Sequence, residues 1–119
     1  CHMSSDVYID FNENAPNEDL GNWIGHLGVI SYFDVNLLDK LRDICYEHNG
    51  LVTEQAVQQA IFACQEFRNW CELVDADTTQ LTSPYDWIPG RWRDESPTKE
   101  HIQELLSANI GSKWSIRVD

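Results

Sequence analysis

Hydrophobic positions recur most regularly over residues 35–74, and the spacing predicts two helices joined by a turn at Asn49-Gly50. In the first, Leu37, Leu38, Leu41, Ile44, Cys45 and His48 fall at steps of three and four, which puts them on one helical face. In the second, Val57, Ala60, Ile61, Cys64, Phe67, Cys71 and Val74 do the same. Ala56, Ala63 and Trp70 add a parallel stripe at seven-residue intervals, so the apolar arc is too wide for a surface helix and must face more than one neighbour. Asp34 or Asn36 is the N-cap of the first helix and Gly50 its C-terminal stop. Thr53 caps the second, with Glu54 set against the positive end of its dipole.

Around this hairpin the pattern changes period. Residues 7–11 are a β-branched and aromatic run that stops at an Asn- and Pro-containing turn, and they predict a strand. Residues 18–26 predict a short helix with Leu20, Trp23, Ile24 and Leu27 on one face, weakened by Gly21, Gly25 and Gly28. Residues 29–33 predict a second strand. Ser96-Pro97 supplies a cap and a proline for the first position of a last helix, whose stripe is Ile102, Leu105, Leu106 and Ile110, ended by Gly111. Residues 114–118 alternate apolar and polar, as a half-buried strand does. The two terminal strands are expected to pair, with 29–33 the candidate third. The expected fold is α+β, a small two-layer domain of two or three short strands covered by three or four helices around the central hairpin.

A length of 119 residues fits one domain, and 42% hydrophobic residues with five Trp exclude a disordered chain. Cys1-His2-Met3 reads as a cloning remnant and a start methionine, leaving 4–119 as the domain. No run is long and apolar enough for a membrane helix, and no basic segment precedes an apolar one. The odd set Cys45, Cys64 and Cys71 lacks a disulfide spacing and favours free thiols in a reducing, cytoplasmic setting.

Charge narrows the function more than any motif. There are 20 acids against 8 bases, a formal net charge of -12, and only three of the bases (Lys40, Arg42, Arg68) precede Arg91, against fifteen of the acids. That field repels nucleic acid and anionic lipid and attracts a basic protein surface, although acidity also serves solubility alone. Catalytic signals are weak by comparison. Cys45, His48, Cys64 and Cys71 are four zinc-ligand types, but Cys64 and Cys71 lie two helical turns apart, unlike the close pairs of structural zinc sites. The thiols sit on apolar stripes, where burial keeps them protonated and inert. No nucleophile elbow, phosphate loop or HExxH run occurs, so neither a reaction nor a cofactor is expected.

The best local candidate for a site is the segment 82–93, whose Tyr85, Trp87, Ile88 and Trp92 are too apolar to leave in water. Either they pin the segment to the helices, or they are offered to a partner together with Arg91 and Arg93, since Trp, Tyr and Arg dominate binding energy. Asp75, Asp77 and Asp86 are the acids expected to steer that partner. In general physical character the chain resembles bacterial toxin-immunity proteins and phage-encoded antagonists of nucleic-acid-handling enzymes, a likeness of type attached to no particular residue. It implies a non-enzymatic inhibitor of a basic protein partner. A small enzyme, or a homo-oligomer that buries the exposed aromatics, is the alternative.

Overall fold

Alternation in the first strand decides where the sheet sits. Val7 and Ile9 are fully buried on one side of β1 (Asp6–Phe11), while Tyr8 and Asp10, on the other, are almost as buried, as the middle strand of a sheet requires. The computed structural model describes residues 5–12, 22–32, 34–77, 79 and 95–119. Within them β1 lies between β2 (Trp23–His26) and β3 (Trp114–Val118), antiparallel to both. The two terminal strands therefore pair as expected, with Val7 opposite Val118, Ile9 opposite Ile116 and Phe11 opposite Trp114.

The third strand is not the one the sequence pattern suggested. Trp23–His26 is β2 rather than the end of a helix, and only residues 22–26 of the expected 18–26 helix lie within the described residues. Asn22 starts the pairing: its carbonyl accepts from the Ile9 N–H at 3.0 Å and its Nδ2 donates to the Ile9 carbonyl at 3.3 Å. Gly25 has φ +133°, outside any helix, and the register shifts beside it in a bulge. Nor do residues 29–33 form a strand, Phe33 itself lying outside the described residues. Leu27–Ile30 is one helical turn, α1, capped by His26 Nδ1 accepting from the Gly28 N–H at 3.0 Å. Further turn bonds from Ser31 to Leu27 and from Tyr32 to Val29 carry the chain off the sheet, with Val29 and Ile30 turned into the core.

The hairpin follows its pattern closely. Asn36 rather than Asp34 caps α2 (Leu37–Glu47), its Oδ1 accepting from the Asp39 N–H at 3.0 Å. Asn49 and Gly50 both take positive φ, 56° and 78°, and reverse the chain. The Gly50 carbonyl then accepts from the Trp114 N–H at 2.8 Å, so the turn also holds the start of β3. Thr53 caps α3 (Glu54–Ala76), Oγ1 accepting from the Ala56 N–H at 3.0 Å. Both stripes of α3 are used. Ala56, Val57, Ala60, Ala63, Cys64, Phe67 and Cys71 are buried in the main cluster, and Trp70 turns aside to meet Tyr32 at a ring separation of 5.9 Å.

The last helix, α4 (Lys99–Ser107), starts later than Ser96-Pro97 suggested. Thr98 is its cap, with Oγ1 accepting from the His101 N–H at 3.0 Å. The Ser96 hydroxyl is engaged elsewhere, accepting from Arg68 Nη1 at 3.1 Å, and the Pro97 carbonyl accepts from the same atom at 3.1 Å. Ile102 and Leu106 are buried, but Ile110 falls beyond the helix and is exposed. The domain is α+β, a three-stranded sheet layered with helices α1 to α4. No helix among the described residues is long and apolar enough to cross a membrane.

Candidate functional site

The groups able to do chemistry are tied into the fold. Cys45, Cys64 and Cys71 are free thiols. Cys64 donates to the Pro97 carbonyl at 3.2 Å, and burial pushes its pKa up to about 11, with Glu100 adding a little and Arg68 opposing. Burial, helped by Asp75, pushes Cys71 up to about 12 against the pull of Arg68. Cys45, which donates to the Trp114 carbonyl at 3.3 Å, is raised by burial too. A thiol held protonated is a poor nucleophile and a poor metal ligand. His48 spans the hairpin: Nε2 donates to Gln59 Oε1 at 2.7 Å, leaving Nδ1 to accept from the Thr53 hydroxyl at 3.1 Å. His101 Nε2 meets the Trp23 carbonyl at 3.0 Å and fixes α4 against β2. Among the described residues no three His, Cys, Asp or Glu side chains are grouped to hold a metal ion.

Several cations are matched to carboxylates. Arg117 reaches Asp10 through Nε at 2.9 Å and Nη2 at 3.4 Å, holds Asp119 through Nη1 at 2.6 Å, and lies 4.7 Å over the Tyr8 ring. This cluster fills the sheet face turned away from Val7 and Ile9. Lys40 pairs with Glu66 at 3.7 Å and Arg42 with Asp39 at 3.9 Å. Among the described residues Asp43, Glu47, Glu54 and Glu72 are exposed and pair with no cation.

Of the residues proposed from sequence, Tyr85, Asp86, Trp87, Arg91, Trp92 and Arg93 lie outside the described residues. Asp75 is half-buried in the last turn of α3, close enough to Cys71 to raise its pKa. Asp77 is the C-cap of that helix, and its Oδ1 accepts from the Thr79 N–H at 3.1 Å and the Thr79 hydroxyl at 2.6 Å. Asp77 therefore also has a local structural duty.

The sequence pattern missed a surface at the turn end of the hairpin, on α2. Tyr46 projects from the solvent face of α2, 84% exposed, between Asp43 and Glu47. Next to it a groove of about 530 Å³ runs between α2 and β3, lined by Arg42, Cys45, Tyr46, Asn49, Ser115 and Ile116 and largely apolar. A second groove of about 470 Å³, between the start of α3 and the end of α4 with the turn that follows it, is more polar and is lined by Glu54, Gln58, Ser107 and Ile110. Tyr46 was legible as the one aromatic on the polar face of the first helix. Its groove was not, because it exists only where β3 arrives beside α2.

No protein-family model matches the chain, and neither the curated proteins nor the solved structures contain a significant match to it.

Proposed function

We propose that the protein is a non-enzymatic acidic binding protein that docks on a basic surface of a partner protein and blocks it, as immunity proteins and phage anti-defence antagonists do. The observation that carries this is Tyr46, a large aromatic left 84% exposed beside two carboxylates, Asp43 and Glu47, that pair with no cation among the described residues. An amphipathic ring is an economical anchor, since it buries a large area while its hydroxyl keeps a polar partner. Carboxylates around it attract a basic surface over a range set by salt, about 10 Å at 0.1 M, and the net charge of -12 extends that pull to the whole molecule. A basic surface that ordinarily receives nucleic acid is the fitting target. The segment 82–93, with Trp87 and Trp92, is a second anchor on the same reading.

The test is to isolate the partner from native-host extract, purify it, and follow association by stopped flow as salt is raised. The on-rate should fall about tenfold or more, while the off-rate changes little. Asp43→Lys and Glu47→Lys should slow association, and Tyr46→Ala should raise the off-rate. An on-rate flat with salt and indifferent to both reversals would reduce the acidity to a solubility device.

A further inference from the structure

In an antiparallel pair, residues that exchange both backbone bonds with the neighbour alternate with residues whose N–H and C=O point the other way. Asp6 and Asp119 exchange bonds of 3.0 and 2.8 Å. That sets Tyr8 with Arg117 and Asp10 with Ser115 as the other bonded pairs, and turns the backbone groups of Trp114, Ile116 and Val118 to the outer edge of β3. At Trp114 the edge is closed, because Gly50 takes its N–H at 2.8 Å and the Cys45 thiol donates to its carbonyl at 3.3 Å. At Ile116 and Val118 it is open: two donors and two acceptors have no partner among the described residues.

The opposite edge of the sheet is treated differently. His101 from α4 covers the Trp23 carbonyl there, and the backbone of Glu95 and Ser96 lies against Gly25. Open edges in native proteins are usually blunted by a lysine, a proline, a bulge or a charge aimed inward. Residues 116–118 have none of these outward devices, since the Arg117 side chain is folded onto Tyr8 and Asp10. A strand added here would lie about 4.8 Å beyond β3 and turn alternate side chains toward the helical layer. On that side the groove between β3 and α2 stands ready, with Ile116, Cys45 and Tyr46 along it.

We propose that this edge is where the partner engages: an extended segment of the partner protein, with alternating apolar and basic residues, adds to β3 as a fourth strand. Main-chain bonds to Ile116 and Val118 hold it, apolar side chains enter the groove, and the basic ones, turned to the other face of the sheet, come beside Asp119 within the field of a chain of net charge -12. The basic character rests on the function proposed above. A second copy of the chain is a poorer occupant, because it would bring another -12 to the same edge.

The test uses the full chain, isotopically labelled, with the peptide Lys-Val-Lys-Val-Lys-Val-Lys as probe and amide hydrogen exchange as readout. Exchange at Ile116 and Val118 should slow about tenfold or more on addition of peptide. Val118→Pro removes one outward N–H and no bond to β1, so it should weaken binding about tenfold or more while Ser115 and Arg117 keep their protection. Tyr46→Lys, at a fully solvated position, should also weaken binding and serves as the variant whose folding is not in question. Binding that shifts acidic residues but leaves the two edge amides exchanging freely would overturn the strand and spare the basic-partner function. Equal protection by a peptide with serine in place of lysine would do the reverse, refuting the basic occupant. No binding by either peptide, or protection that rises with protein concentration alone, would also overturn the proposal, the latter in favour of a second copy.

Discussion

A methyl group on Gly25 would sit 2.7 Å from Ile30 Cγ2 and 2.8 Å from the Glu95 carbonyl oxygen, at a φ of +133° that side chains rarely adopt. Strain and overpacking act together there, so Gly25→Ala should cost about 3 kcal/mol in a urea melt. An unchanged midpoint would mean the bulge has room to move. The buried thiols give a pH prediction of definite sign. Their folded pKa values, about 11 for Cys64 and about 12 for Cys71, stand above the ordinary value of 9.0. The contribution to stability is therefore intact below pH 9 and is lost as pH climbs through 11 to 12. Between about pH 8 and about pH 10 each thiol should cost on the order of 1 kcal/mol, a slope that the Cys64→Ala, Cys71→Ala double variant should flatten. Iodoacetamide should reach Cys45, the least buried of the three, first. The stripe spacing made the burial of Cys64 and Cys71 legible from sequence; the positive φ of Gly25 left no trace there beyond the glycine itself.

Elements of many turns were readable and those of one turn were not. The stripes of α2 and α3 repeat often enough to separate a period of 3.6 from one of 2, and Asn36 and Thr53 mark the starts. Residues 23–30 offer no such length. Trp23, Ile24 and Leu27 satisfy a helical spacing, yet Asn22 and the bulge at Gly25 commit the first four to the sheet, and α1 is too short to show a period. Ser96-Pro97 misled for a different reason: the cap signal was sound, but the Arg68 guanidinium took the serine oxygen and left Thr98 to start α4. Accordingly Thr98→Ala should lower stability by about 1 kcal/mol and Thr98→Asp should not, each read by urea melt. Equal losses in both would return the helix start to Pro97.

Across the whole molecule, the meeting of the two terminal strands was legible because each carries its own period-2 signal. Their order was not, since the hydrophobic pattern of β3 is the same for a middle strand as for an outer one. The order matters for how the chain acquires its structure. Asp10 and Arg117, 107 positions apart, come together only through the sheet, whereas α2 and α3 are joined by a few residues. Closing the larger loop carries the greater entropic cost, so the hairpin should form first and the sheet last. Pulse-labelled exchange during refolding should show α3 amides protected before those of β1, and simultaneous protection would contradict it. A nascent chain is under the same constraint: however early Val7 and Ile9 leave the ribosome, they have no β3 to pair with until residue 118 follows them. Until then β1, paired with β2 alone, keeps one edge open, and it is in that interval that a chaperone would meet this strand.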